Sequence, residues 1–257
     1  MAAVTAPTEA AVGLTVNGER WLTFLCTPAD LEALAVGFLF TEGLIADAAD
    51  VATVQLCGSG ANVEVWLRRA ITRPRAWQRP AGCAGGGTGD DPELRLAAPC
   101  LRTGPCLPAA AIGELMEALD SAQALHAATG GLHCSALSDG ERIVTLAEDI
   151  GRHNTLDKLA GRCLLDREVM AGSILLTTGR VSSEMALKAV RMEVPILISR
   201  SGPTSLAVER ATRWGLTLIG YARHDHFTIY SHPWRLAGQP GQEAVEALAR
   251  VERRAAS

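Results

Sequence analysis

The sequence predicts an α/β protein: a small α+β unit followed by a larger domain on a parallel sheet. Three observations carry this. In the C-terminal half, short all-apolar runs at 143–146, 173–176, 195–199 and 216–221 alternate with helical patterns at about 154–166, 183–191 and 204–214, as in a parallel sheet covered on both faces. Near the N-terminus, two pairs of strand-like runs surround a single helix. Between the two parts, from Arg68 to Pro108, the apolar period fails and Gly and Pro are dense, which marks a loop or linker.

Each element has its own signal. Val12–Val16 and Trp21–Cys26 flank Asn17-Gly18, the strongest short-range hairpin signal. A helix follows, with Thr27 as its cap, Pro28 in its first position, Asp30 and Glu32 at its positive end and Gly43 as its stop. Val51–Cys57 and Val63–Leu67 form a second strand pair joined through Gly58 and Gly60. Pro108 opens a helix with Ile112, Leu115, Met116 and Leu119 at 3/4 spacing, so the domains divide as 1–107 and 108–257. Leu132–Leu137 and Arg142–Leu146 flank the turn Ser138-Asp139-Gly140, Phe227–Tyr230 adds a last strand, and a charged peripheral helix lies beyond Pro240.

Composition narrows the function. The 257 residues carry 48% hydrophobic and 4% aromatic side chains and a formal net charge of −4, so no global field draws the chain to nucleic acid and few rings are available for stacking bases. Anionic ligands must be caught locally. The seven cysteines show neither CxxC spacing nor a Cys/His ladder, and read as reduced thiols of a cytoplasmic protein. The first basic residue is Arg20, and Glu32 and Glu42 interrupt the apolar stretch at 31–45, so neither a signal peptide nor a membrane span is expected.

In an open α/β sheet, ligands bind outside the carboxyl ends of the strands. The loops there hold Gly151, Arg152, His153 and Asn154; Thr178, Gly179, Arg180 and Ser182; Arg200, Ser201, Thr204 and Ser205; and Arg223, His224, Asp225 and His226. Three of the four lead into helix N-termini, whose N–H groups and partial positive charge favour anions. Within any one loop, the hydroxyls and amides simply cap helices and the arginines are solvated. Four such loops on one edge describe a phosphate or pyrophosphate cradle. Neither a GxxxxGK[ST] loop nor a GxGxxG turn is present, which argues against an ATPase or an ordinary dinucleotide-binding dehydrogenase. His153 and Asp157 stand four apart, either orienting the imidazole or forming a surface pair. His224 and His226 would face opposite sides of an extended segment, so no metal site is expected.

Cys83 is the second candidate, a thiol in the polar, Gly-rich run 81–92 with Arg79 nearby to favour thiolate and Asp90 and Asp91 to oppose it. Cys26, Cys134 and Cys163 sit in apolar patterns and are expected to pack. Cys100 and Cys106 flank 101–105 and are expected to be structural, although exchange of sulfur with Cys83 is open.

Several motifs, in order, resemble the formate dehydrogenase accessory family, FdhD/NarQ. They are Asn17-Gly18; Gly37-Phe38-Leu39-Phe40-Thr41-Glu42-Gly43-Leu44-Ile45; Gly130-Gly131-Leu132-His133; the run from Glu148 to Lys158; Thr178-Gly179-Arg180-Val181-Ser182-Ser183-Glu184-Met185; Pro203 to Val208; and Tyr230-Ser231-His232-Pro233. The resemblance implies a cytoplasmic, homodimeric sulfurtransferase. It would take sulfur from a cysteine desulfurase as a Cys83 persulfide and pass it to the bis(molybdopterin guanine dinucleotide) molybdenum cofactor, which formate dehydrogenase requires. It also implies a C-terminal domain similar to the cytidine deaminase fold, and a cofactor or its guanine nucleotide moieties at Tyr221, Ala222, Arg223, His224, Asp225 and His226. The deaminase zinc signature is absent. One departure stands out: the family's Cys-Gly-x-Cys-Gly reads Cys83-Ala84-Gly85-Gly86-Gly87 here, leaving one thiol, which suffices to carry a persulfide. Two other readings stay open, a non-enzymatic cofactor chaperone in which Cys83 is dispensable and a zinc-dependent deaminase relic.

Overall fold

The computed structural model describes residues 6–74, 100–224 and 226–237, with two two-residue strands at Trp77–Gln78 and Gly87–Thr88. Cys83, Asp225 and the helix expected beyond Pro240 lie outside these residues.

Strands β1 (Ala10–Val16) and β2 (Glu19–Cys26) form the expected hairpin, with both Asn17 and Gly18 at positive φ, the backbone that matches strand twist. β3 (Val51–Leu56) and β4 (Asn62–Leu67) pair antiparallel, and β4 also runs parallel beside β1, giving the order β2-β1-β4-β3. Helix α1 (Leu31–Thr41) departs from expectation at its start. Thr27 does not cap it: its N–H donates to Asp149 Oδ2 at 3.0 Å and its hydroxyl accepts from the Ile150 N–H at 3.2 Å. The helix begins instead after Asp30, which is left-handed and pairs with Arg162. A residue drawn to a partner 122 positions away cannot also cap the next helix. Gly43, at φ +76, follows the helix end as predicted.

In the C-terminal half, α2 (Ala111–Ala122) starts three residues after Pro108, which lies in a two-residue parallel ladder, Leu107–Pro108 with Leu236–Ala237. A six-residue helix, α3 (Ala124–Thr129), has no apolar period to announce it, and the Glu148 carboxylate caps it by accepting from the Leu125 and His126 N–H groups at 2.9 and 2.7 Å. Then come β5 (His133–Ser138), β6 (Ile143–Asp149), α4 (Arg152–Asp166), β7 (Ile174–Thr177), α5 (Ser183–Arg191), β8 (Ile196–Ser199), α6 (Ser205–Trp214), β9 (Thr217–Gly220) and β10 (Thr228–Ser231). The sheet order is β10-β9-β8-β7-β5-β6.

The expected parallel sheet is corrected to a mixed one. Only β7, β8 and β9 are parallel neighbours, while β5 and β10 pair antiparallel to them. β6 still points the same way as β7, because both oppose β5. The carboxyl ends of β6, β7, β8 and β9 therefore share one edge. Ile174, Leu176, Ile196, Ile198 and Ile219 pack on the α2 side, and Leu175, Leu197 and Leu218 on the side of α4, α5 and α6, the period-2 alternation of a sheet buried on both faces.

The N-terminal sheet and α1 join that second layer in one continuous apolar cluster, so the division at 107/108 separates stretches of chain rather than cores. Helices α1 and α4 meet backbone to backbone. A Cβ at Gly37 would sit 1.7 Å from Asp157 O, and one at Gly161 would sit 1.8 Å from Ala33 O; only glycine permits this approach.

Candidate functional site

The edge loops are built largely from their own polar groups. Asp149, fully buried at the end of β6, accepts from the Gly151 N–H and Asn154 Nδ2 through Oδ1, both at 2.8 Å, and pairs with the equally buried Lys158 at 2.6 Å through Oδ2. Lys158 Nζ also donates to Thr27 O at 3.0 Å. The turn into α4 is thereby tied to the entry of α1. At the next loop, Thr178 Oγ1 accepts from the Cys134 N–H at 3.0 Å and Ser201 Oγ donates to Thr178 O at 2.9 Å. Ser199 Oγ donates to Gly179 O at 2.7 Å, and Val181 bridges Pro203. Ser182 and Thr204 each accept from the N–H three residues on, so they are the caps of α5 and α6. Tyr221 and Ala222 donate their N–H groups to Ser201 O and Ser199 O.

Arginine and histidine side chains converge on this frame. Arg152 is buried, and Gly179 lets it cross the neighbouring loop, since a Cβ there would lie 2.8 Å from Arg152 Cβ. His153 is also buried; its Nε2 is 3.2 Å from Ser182 Oγ and 3.4 Å from Glu184 Oε2, while Nδ1 has no hydrogen-bond partner among the described residues. Burial, then the charges of Lys188, Arg152 and His133, push this imidazole down to about 3. His153 is neutral at physiological pH. Burial and Arg152 likewise lower His133, at the start of β5. Arg180 is exposed.

The second half of the edge is more open. Exposed Arg223 donates through Nη1 to Arg200 O at 2.6 Å and Ala222 O at 3.0 Å. Arg200 pairs with Asp120, and His224 Nδ1 lies 2.7 Å from Glu117 Oε1. Residues 221–224 and 226–227 are a loop beyond β9, not the strand continuation expected for Tyr221, and Tyr221 itself is left-handed and 51% exposed.

The structure thus sorts the sequence candidates. Asn154, Thr178, Ser182, Ser201 and Thr204 have side chains committed to the frame, and Ala222, Gly151 and Gly179 are buried within it. Arg180, Ser205, Tyr221, Arg223, His224 and His226 face solvent, with Arg152 and His153 beneath them. Asp157 is neither a surface residue nor the partner of His153. It is buried, accepting from Thr41 at 2.5 Å and pairing with Lys188 at 2.6 Å; Lys188 in turn meets Glu42 at 3.2 Å. The supporting roles of Asp149, Lys158 and Glu148 were missed, although Glu148-Asp149 just before a glycine and a helix was the available signal. Cys26, Cys134 and Cys163 are buried as expected, their thiols pushed up to about 12, 12 and 11, chiefly by burial.

Compared with known proteins, residues 7–237 match the model of the FdhD/NarQ family. The chain belongs to the FdhD/NarQ family. Among FdhD/NarQ relatives, a sulfur carrier protein FdhD of Geobacillus kaustophilus is 37% identical over 228 residues, covering 87% of this chain and 86% of that protein. One of the same name from Staphylococcus haemolyticus is 35% identical over 236 residues, covering 89% and 88%. The crystal structure of a chain assigned as a formate dehydrogenase accessory protein from Desulfotalea psychrophila superposes with a TM-score of 0.75 at 30% identity, covering 91% of this chain and 90% of that one. The FdhD/NarQ match spans both sheets and all four edge loops. No helix among the described residues is long and apolar enough to cross a membrane.

Proposed function

We propose that this chain is a sulfurtransferase, a sulfur carrier serving a formate dehydrogenase. It carries sulfur on Cys83 to a molybdenum cofactor substrate seated on the edge loops. The observation that carries this reading is the convergence of Arg152, Arg180, Arg200 and Arg223 with three helix N-termini on one edge of a chain whose net charge is −4. An acceptor bearing guanine nucleotides and pyrophosphates has the charge and length for such an edge. The names of the relatives, sulfur carrier protein and formate dehydrogenase accessory protein, favour the same assignment.

The chemistry needs one thiolate. Cys83 Sγ attacks the outer sulfur of a persulfide on a cysteine desulfurase; the donor's S–S bond breaks and its cysteine leaves as thiolate. A nucleophilic position on the bound acceptor then takes that sulfur, the Cys83 S–S bond breaks, and Cys83 returns to thiolate. Exposed Arg180 and Arg223 neutralise phosphate, and buried His153 presents Nδ1 to the ligand from below. Cys83 lies 18 residues from Leu101, the first buried residue after it among those described. At about 3.3 Å per residue this reach exceeds the length of any strand in the sheet. The working form is a cytoplasmic homodimer.

The glycine at 86 favours a second reading, a cofactor chaperone that does not need Cys83. Mass spectrometry after incubation with a cysteine desulfurase and cysteine separates the two. The carrier gains one reductant-sensitive sulfur on Cys83, lost in Cys83→Ala. Protein that still binds a guanine nucleotide but gains no sulfur with several active desulfurases is the chaperone.

A further inference from the structure

Helix α2 has two working faces. Ile112, Leu115, Met116 and Leu119 bury against the six-stranded sheet, while Gly113, Glu117 and Asp120, spaced i, i+4 and i+7, fall together on a neighbouring face. This second stripe meets the ligand loops. A Cβ at Gly113 would sit 2.4 Å from His224 O, so the backbone of the loop beyond β9 lies directly on the helix. Glu117 Oε1 is 2.7 Å from His224 Nδ1, and because a carboxylate only accepts, that nitrogen carries the hydrogen. Asp120 Oδ1 pairs with Arg200 Nη2, on the loop that follows β8, and also accepts from Gln123 Nε2 at 3.2 Å.

These contacts do little for folding. The His224–Glu117 pair is mostly exposed and the Arg200–Asp120 pair partly so; exposed ion pairs add little to stability, and α2 is already held by its apolar face. Their effect falls on the cations of the edge. Arg223 Nη1 donates to Arg200 O at 2.6 Å, which brings two arginines to one corner, and burial together with the Arg223 charge lowers Arg200. Like charges so placed repel, and a long side chain gives up rotamer freedom when a ligand immobilises it. Asp120, itself held by Gln123, offsets the repulsion and fixes Arg200 beforehand. A guanidinium has five N–H donors in a planar fork, so one carboxylate leaves others for a ligand oxygen.

We propose that Glu117 and Asp120 are positioning residues of the ligand edge: from α2 they hold His224 and Arg200 beside Arg223, so that a phosphate group meets cations already in place. The proposal rests on the edge loops being the seat of an anionic ligand. The sign of the Asp120 effect separates positioning from plain electrostatics. Asp120 is a negative charge beside an anion site, and by Coulomb's law alone its removal tightens the binding of an anion. Positioning demands the reverse, because Arg200 without its carboxylate must be ordered by the ligand itself.

The test is calorimetric titration of the full chain with guanosine diphosphate, with thermal unfolding of each variant alongside. Asp120→Asn, which keeps the oxygen that accepts from Gln123, is expected to weaken binding about fivefold or more, and Asp120→Glu to restore most of that loss. In an Arg200→Ala background, Asp120→Asn should weaken binding no further. Glu117→Gln is expected to weaken it about twofold. Unchanged or tighter binding by Asp120→Asn overturns the proposal, and so does an equal loss with and without the Arg200 side chain. A loss matched by a fall in the unfolding midpoint and not restored by Asp120→Glu would mean that Asp120 is only structural. Where the unsubstituted chain binds guanosine diphosphate and Arg180→Ala weakens it, any of these results leaves the edge standing as the ligand seat. No binding by the unsubstituted chain removes the edge reading as well.

Discussion

The joint between the N-terminal unit and α4 and the loop edge at the start of α4 use the same residue types to opposite ends. In the joint, Lys158 of α4 with Asp149 at the end of β6, and Lys188 of α5 with Asp157 of α4 and with Glu42 at the end of α1, are buried ion pairs around α1 and α4, whose backbones touch at Gly37 and Gly161. Burial alone would lower Lys188, but the Asp157 and Glu42 carboxylates outweigh it and hold the ammonium above the usual lysine range. At the edge, Arg180 and Arg223 stand in water, and the His224–Glu117 pair is mostly exposed. A charge with its partner in a dry interior holds elements together; one left at the surface above buried dipoles is available to a ligand. Substitutions in the joint should therefore cost stability, and substitutions at the edge should cost binding.

The comparison breaks most sharply at Lys158. Lys158→Met leaves the buried Asp149 carboxyl without its cationic partner, and should cost about 3–5 kcal/mol in urea unfolding. Gly161→Ala comes next: its methyl would overlap the Ala33 carbonyl, and forcing α1 and α4 apart should cost about 1–3 kcal/mol.

His153 lies where the two regions meet and sharpens the distinction through pH. Its imidazole is held near 3 in the fold against 6.5 otherwise. Below about 6.5 the unfolded chain binds a proton that the native state refuses until about 3. Stability is thus lost as pH falls through that window, by at most about 1.4 kcal/mol per pH unit from this group. His153→Gln should flatten the acid side of a stability profile measured between about pH 7 and pH 5; an unchanged slope would mean that His153 is not held neutral.

The smallest effect on folding is expected at the edge. Arg180→Ala should alter stability by no more than about 0.5 kcal/mol. It should nonetheless weaken guanosine diphosphate binding by about tenfold or more in calorimetric titration, as expected for loss of a charge-assisted contact. A large loss of stability with unchanged binding would reverse the assignment of Arg180 to the edge.

Much of the fold was readable because its signals are local. β7, β8 and β9 are buried on both faces and read as unbroken apolar runs, and Asn17-Gly18 specifies its own turn. The direction of β5 was not readable, since an antiparallel strand buried on both faces looks the same as a parallel one. The candidate edge was legible as four loops, but not the division of labour within it. Thr178 and Ser201 look like ligands in sequence and turn out to hold each other's loops. Asp149 and Thr27 look unremarkable because their bond spans 122 residues. Lys188 lies among apolar buried residues of α5, and its carboxylate partners Asp157 and Glu42 come from distant elements.

The most direct measurement is formate dehydrogenase activity in cells that lack their own copy of the accessory protein and express either this chain or its Cys83→Ala variant at matched levels. Sulfur carriage on Cys83 predicts full activity with the former and a loss to background with the latter, while purified Cys83→Ala keeps wild-type thermal stability and guanosine diphosphate binding. Full activity from Cys83→Ala would contradict the carrier and leave the edge loops as the seat of a chaperone.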